Sequence, residues 1–317
     1  MPALERTIAL GPANLNDFYS DRLMALDDQA GRLYVSLSPS RTVVLDAETL
    51  TALGEIPLGG TLALHPARQR LYIGVQGQYV SNPDGDYTAT PAELRMFDTS
   101  HLALLRSVIF SDTVTSAPLV AVDVVNDQLY IAHAGIYLAD ANTLDVSGTL
   151  SGTVPTPNGL VPNYAAVDAA IDPARQRLWV SMNNGIHGSN NGNVLYVYDL
   201  ATGQQINQDP ERSIFSLAID STTGEAFIPR GHLATNAIVK YDVQGQPVER
   251  LENAAGPLQL DAEHDRVYVL SADAAPGLKV IDRELNYLGF AAFPDLDQAR
   301  SLLADPQRDH LYVLLPN

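Results

Sequence analysis

Along this chain a polar turn bearing Asp, Pro or Gly is repeatedly followed by an aliphatic–aromatic–aliphatic triplet, most clearly in Ile171-Asp172-Pro173-Ala174-Arg175-Gln176-Arg177-Leu178-Trp179-Val180. An apolar residue, a reversing turn and a β-prone triplet predict a β-hairpin: one strand ends, the chain turns back, and a buried strand begins. The other triplets are Leu33-Tyr34-Val35, Leu71-Tyr72-Ile73, Leu129-Tyr130-Ile131, Ala226-Phe227-Ile228, Val267-Tyr268-Val269 and Leu311-Tyr312-Val313. Their first residues are separated by 38, 58, 49, 48, 41 and 44 positions, and a mean of about 46 lies in the range of a four-stranded propeller blade. The aromatic is always the middle residue. Period-2 alternation then sends its ring to one face of the sheet and the flanking aliphatics to the other, so that neighbouring sheets bury both faces.

Seven triplets predict an all-β fold, a seven-bladed β-propeller forming a single domain over residues 1–317. Each blade reads as four strands. The innermost ends at the turn, the second holds the triplet, and the outer one follows a further turn. The third usually ends in Asp: Asp46, Asp98, Asp140, Asp199, Asp242 and Asp282. Each of these six carboxylates recurs at one position of the repeat, which predicts caps for backbone N–H groups of the following turn. Residues Ala3–Gly11 best match Thr51–Gly59, the outer strand of the first blade. The expected closure is therefore an N-terminal strand lying outermost in the last blade, as propellers join their two ends. That blade appears one strand short, because Leu311 begins its second strand and the sequence stops at Asn317. A continuation into a further domain C-terminal to Asn317, or another segment or chain, is expected to fill the gap.

The turn-then-triplet phrase, in Asp172-Pro173 to Val180 and Asp305-Pro306 to Val313, followed by an apolar strand ending in Asp, resembles the YVTN-repeat family of β-propellers. That family overlaps with seven-bladed quinoprotein-dehydrogenase-like and lactonase-like folds. The resemblance spans essentially the whole chain and implies a ring with a central channel and an extracytoplasmic setting, periplasmic, secreted or cell-surface. Its motifs are core and turn residues. They specify architecture and no reaction, since family members include surface and binding proteins as well as enzymes.

Charge narrows the partners. The 317 residues carry a formal net charge of −18, with 19 Lys+Arg against 37 Asp+Glu. Such a surface repels phosphate backbones and argues against nucleic-acid binding. No apolar run reaches membrane-spanning length, so no membrane insertion is expected. Cysteine is absent, which removes disulfide, thiolate–metal and Cys-nucleophile chemistry. The nucleophile elbow, the zinc-protease His-Glu-x-x-His pair and the phosphate-cradling loop are missing too.

The longest connections, 74–93, 153–164, 181–193 and 229–236, open on one face of the disc, where binding residues of rigid scaffolds concentrate. Within the first, Asn82-Pro83-Asp84-Gly85-Asp86 runs on through Thr90 to Glu93, placing oxygens at positions one, three, five, nine and twelve of a looped Ca²⁺ site. Asn82, Asp84, Asp86 and Glu93 are its candidate ligands. Tyr87 in place of the glycine at position six, and two prolines, count against it; the bland reading is a solvated excursion with an Asp-Gly turn. His133, His187 and His232 occupy equivalent loops of three consecutive blades and are candidates to converge on the channel mouth. Isolated loop histidines are otherwise merely exposed polar residues. Arg230 and Tyr164 complete the candidate ligand-binding set. The expected function is a non-catalytic binding or scaffold propeller that takes a protein or small-molecule ligand on its long-loop face. The rival is a lactonase- or lyase-like enzyme with a metal at the channel mouth.

Overall fold

A computed structural model describes residues 5–11, 22–81, 87–110, 116–133, 135–150, 166–183, 193–209, 216–230, 236–254, 256–271, 277–292 and 295–316. Six four-stranded antiparallel sheets and a final two-stranded sheet follow one another along the described chain, and a second two-stranded sheet lies within the second-to-third-strand connection of blade two. Blade one comprises Met24–Asp27, Arg32–Ser38, Arg41–Asp46 and Ala52–Ile56; blade two Thr61–His65, Arg70–Val75, Glu93–Asp98 and Ala103–Ile109. Blade three comprises Leu119–Asp123, Gln128–Ala132, Ile136–Asp140 and Val146–Thr149; blade four Ala166–Asp172, Arg177–Asn183, Asn193–Asp199 and Gln204–Asp209. Blade five comprises Ala218–Ile219, Ala226–Arg230, Ala237–Tyr241 and Pro247–Glu252; blade six Leu258–Asp261, Arg266–Ser271, Gly277–Ile281 and Tyr287–Ala291. The seventh triplet lies in a hairpin, Ser301–Asp305 paired with His310–Leu314. No helix is long and apolar enough to cross a membrane among the described residues.

The propeller therefore has six blades, and the expectation of seven is corrected. A triplet marks an inner hairpin, which is half a blade, so counting triplets counts hairpins. The seventh hairpin acquires no third or fourth strand among the described residues. The expected N-terminal closing strand is corrected as well, because residues 5–11 form no strand. Ile8 and Leu10 instead pack as an irregular segment on a cluster that contains Leu314 and, at its margin, Leu303 and Tyr312. Arg41 holds the Leu10 carbonyl at 2.8 Å. The inner strands still close a ring: the first strand of each blade contacts that of the next, and Ser301–Asp305 contacts the first strands of both blade six and blade one.

Packing follows the triplet alternation at every sheet interface. Tyr34, Tyr72, Tyr130, Trp179, Phe227 and Tyr268 each join the cluster toward the following sheet. Tyr312 packs at the cluster shared with blade one. The flanking aliphatics take the opposite side. Leu178 and Val180, for example, face blade three while Trp179 faces blade five. A fully buried aliphatic or Phe side chain contributes about 1.5–3 kcal/mol, so these interfaces supply the main apolar term of the fold. Two of the phenols also bond across the interface to equivalent carbonyls: Tyr72 to Ala141 O at 2.5 Å and Tyr312 to Ala47 O at 2.7 Å.

The six third-strand aspartates cap turns. Asp46 accepts from the backbone N–H of Glu48 and Thr49, Asp98 from Ser100 and His101, and Asp140 from Asn142 and Thr143. Asp199 accepts from Thr202, Asp242 from Gln244 and Gln246, and Asp282 from Asn286. A second set of carboxylates, buried at the inner-strand ends, caps the hairpin turns: Asp27, Asp123, Asp172, Asp220, Asp261 and Asp305. In all six blades the ladder between the third and fourth strands then slips by one residue. Each slip is a bulge of the kind that twists an edge strand away from further pairing. The skipped residues Leu53, Leu105, Ser147, Ile206, Val248 and Leu288 are exposed, as outer-strand residues generally are.

Hydrogen bonds from the turns hold the capping carboxyls low. Bonds from Thr49 lower Asp46, those from Asn142 and Thr143 lower Asp140, and those from Thr202 lower Asp199. Ser100, with His101, brings Asp98 to about 2. The folded state thus binds fewer protons than the unfolded chain, whose Asp titrates near pH ~3.9. This stabilisation is fully present above that value and is lost as pH falls toward the folded pKa. Asp98→Asn is expected to lower the melting temperature at pH 7, with the gap to wild type closing as the pH approaches about 2. A gap that stays constant across that range contradicts the capping account.

Candidate functional site

Antiparallel order places the hairpin turns of all sheets on one face of the disc and the second-to-third-strand connections, with the starts of the inner strands, on the other. On that second face a cavity of about 180 Å³ opens on the axis, lined by Arg22, Met24, Leu62, Asp168, Gln259 and Leu302, among others. Seven of its ten lining residues are apolar, because inner strands pack side by side there, and Arg22, Asp168 and Gln259 supply the polar part.

Asp168 is the acidic residue of the lining, buried within the otherwise apolar run Ala166–Ile171. A register slip at Val167 displaces the alternation of this strand against its partner, and slips of this kind re-aim side chains. Arg22, which precedes the first strand of blade one, reaches Asp168 Oδ1 through Nε at 2.7 Å and the Ala169 carbonyl through Nη2 at 2.8 Å. Blades one and four are not neighbours in the ring, so this ion pair crosses the axis. The second carboxylate oxygen accepts from the Leu217 N–H of blade five at 2.6 Å, and Oδ1 also accepts from Ala169 N at 2.8 Å. One buried carboxylate thus ties three blades at the channel mouth.

Shorter links continue around the rim. Gly60 N donates to Ser36 Oγ, Leu62 N to the Arg22 carbonyl, Thr61 Oγ1 to the Pro118 carbonyl, and Leu258 N to Ser216 Oγ. The approach is close enough that a Cβ on Gly60 would lie 2.0 Å from the Gly74 carbonyl oxygen, and one on Gly74 would lie 2.0 Å from that of Pro118. Only glycine lets these backbones meet.

The residues singled out in the sequence take different places. His133 is fully buried, its ring 5.1 Å from that of Phe110 at the junction of blades two and three. Arg230 ends the second strand of blade five and is also buried. Its guanidinium pairs with Asp209 at 2.8 Å, donates to the Tyr241 hydroxyl and lies over the Tyr241 ring. Burial raises the Tyr241 hydroxyl well above the usual phenol range, so this phenol stays protonated and donates to Asp209 at 2.7 Å. Glu93 opens the third strand of blade two and pairs with Arg95 at 2.7 Å. Asn82, Asp84, Asp86, Tyr164, His187 and His232 lie outside the described residues. His133 packs on Phe110 between blades two and three and Arg230 on Asp209 and Tyr241 between blades four and five, so the two are not brought together.

Arg22 and Asp168 were missed by sequence reasoning. A carboxylate inside Ala-Val-Asp-Ala-Ala-Ile is the signal that could have flagged Asp168, since an unpaired charge is not buried among aliphatics. Its partner 146 positions away leaves no local trace. On the opposite face Asp261, His264 and Asp309 bring three ligand-type atoms within 4.8 Å of one another. His264 Nδ1 already bonds Asp261 at 2.9 Å, and Arg266 approaches Asp309 at 3.4 Å.

No protein-family profile matches the chain, and no curated protein matches it either. Among solved structures it is similar to the β-propeller domain of Cps50 (Swd1) from Myceliophteria thermophila, with a TM-score of 0.61, 12% identity and 87% of each chain covered. At that identity the likeness shows the β-propeller fold alone. The YVTN-repeat resemblance accordingly rests on the motifs and has no family match behind it.

Replacing Asp168 by Ala would strand two backbone N–H groups and remove the carboxylate partner of Arg22. Urea unfolding is expected to show a loss of about 3–5 kcal/mol, with Asp168→Asn intermediate because it keeps an acceptor oxygen. A loss below about 1 kcal/mol for the alanine variant, the size of an exposed pair, would remove the axial tie from the account.

Proposed function

We propose that the chain is a non-catalytic binding module that takes a protein on its long-loop face, in an extracytoplasmic setting. The observation that carries this reading is the division of labour on that face. Its floor is a pre-paired platform of Arg22, Asp168 and the rim hydrogen bonds, and the connections between second and third strands leave from and return to that face. Blade two adds a hairpin of its own there, Tyr79–Ser81 paired with Tyr87–Ala89. A rigid floor carrying variable insertions is the arrangement by which scaffolds present contact residues. The net charge of −18 favours a partner with a basic surface, which would be attracted over distance and lost at high salt.

The enzyme reading requires a metal at the channel mouth. Asp168, the carboxylate facing the cavity, is already committed to Arg22, Leu217 and Ala169, and the one carboxylate–histidine grouping of ligand spacing among the described residues lies on the opposite face. No specific feature of the mouth favours that alternative.

The absence of cysteine makes any introduced thiol a unique label. Photo-crosslinkers are placed at Gln78→Cys on the loop face and at Val125→Cys, an exposed turn position on the opposite face. In an extract of the source organism, position 78 is expected to yield discrete, salt-sensitive adducts and position 125 none. Adducts from position 125 alone would overturn the assignment, as would lactone turnover by protein holding a stoichiometric metal.

A further inference from the structure

The two-stranded sheet differs from the other six in one measurable respect. In blades one to six every triplet residue is buried, from Leu33-Tyr34-Val35 to Val267-Tyr268-Val269. Leu311, Tyr312 and Val313 are each only half-buried, although they belong to the same apolar clusters as their counterparts. Among the described residues no third strand covers them on the side where the other sheets carry one.

The open edge has a definite polarity. Leu314 O accepts from Arg300 N, which turns Leu314 and, by period 2, Tyr312 toward the inner strand. The N–H and C=O groups of Leu311 and Val313 therefore point to the outer edge. No bulge interrupts the Ser301–Asp305 and His310–Leu314 ladder, whereas every outer strand of the six blades has one. This edge lacks the device that blunts the others and is a template for strand addition.

The chemistry of the strand it would accept is written six times in the chain. Third strands read Val44-Leu45-Asp46, Met96-Phe97-Asp98, Leu138-Ala139-Asp140, Val197-Tyr198-Asp199, Lys240-Tyr241-Asp242 and Val280-Ile281-Asp282. In four blades the Asp stands opposite the residue just before the triplet: Arg32 with Asp46, Arg70 with Asp98, Gln128 with Asp140, and Arg177 with Asp199. Two of those are ion pairs, at 3.3 Å and 2.5 Å. In the two-stranded sheet this place belongs to His310, whose Nε2 lies 3.7 Å from the exposed carboxylate of Glu5. The position already draws an acid from an irregular segment.

We propose that the edge of His310–Leu314 is a docking site for one extended segment of a separate polypeptide. The segment adds antiparallel to it, is apolar over three to four residues, and carries an Asp opposite His310. It covers the triplet as third strands do elsewhere, and its Asp replaces Glu5 as the partner of His310. This surface is distinct from the long-loop face, so the proposal does not rest on the function proposed for that face.

The probe is a fluorescent synthetic peptide copying residues 277–286 of this chain, which contains Val280-Ile281-Asp282. Saturable binding at micromolar concentration is expected, with amide exchange at Leu311 and Val313 slowed at least tenfold. Binding is expected to disappear when the inward-facing amides of the peptide are N-methylated, and to weaken severalfold when its Asp is replaced by Asn. No binding at millimolar peptide overturns the proposal, as does binding indifferent to N-methylation or protection that falls on the outer strands. Protection of Leu311 and Val313 without peptide also overturns it. Protection that grows with protein concentration assigns the edge to a second copy, and protection independent of concentration assigns it to the chain itself.

Discussion

No sheet of this protein can bury both of its faces alone, and the structure follows from that shortfall. A four-stranded sheet with a bulky aromatic on one side and two aliphatics on the other is stable only between two neighbours. The triplet supplies complementary halves: the ring of one sheet enters the space beside the aliphatics of the next. Repeated around an axis, this contact leaves no first or last member. The inner hairpin Ser301–Asp305 with His310–Leu314 supplies the link between blade six and blade one with only two strands.

Polar chemistry is subordinate to this stacking and placed where stacking cannot act. Turns at the strand ends expose N–H groups, and Asp residues at two recurring positions satisfy them. At the axis the sheets taper to single inner strands, where apolar contact is thin. There a buried carboxylate with three donors links blades one, four and five. A structural role of this kind leaves the floor of the loop face rigid and its polar groups committed, which suits presentation of variable insertions better than chemistry in the channel.

The local code was readable in the sequence and the long-range pairings were not. Triplet, turn and terminal Asp sit within ten or so residues of one another, so their periodicity reported the hairpins, the ring direction of each aromatic and the capping carboxylates. The same code could not say whether a hairpin is completed into a blade. That depends on strands the triplet does not encode, and six blades were read as seven. Asp168 and Arg22 meet only because the ring brings blade one across from blade four. His133 reads as a loop residue because it follows a strand, yet its N–H bonds the Gly135 carbonyl and its ring packs inward against Phe110. Its burial is a property of two blades together. The leucines at positive φ in the outer turns, Leu50, Leu102, Leu144 and Leu285, were equally hidden, since sequence rules reserve that conformation for Gly and Asn.

The central claim is that the sheets form one closed, cooperative ring joined through the two-stranded hairpin. Leu314 is buried where that hairpin meets blade one, and the single tryptophan, Trp179, is buried at the far side between blades four and five. The most direct measurement is urea unfolding of Leu314→Ala, followed by Trp179 fluorescence and by far-ultraviolet circular dichroism. The account predicts that both signals shift to lower urea together, by the equivalent of about 2–5 kcal/mol. A Trp179 transition that stays at its wild-type midpoint while the dichroism splits into two phases would contradict it.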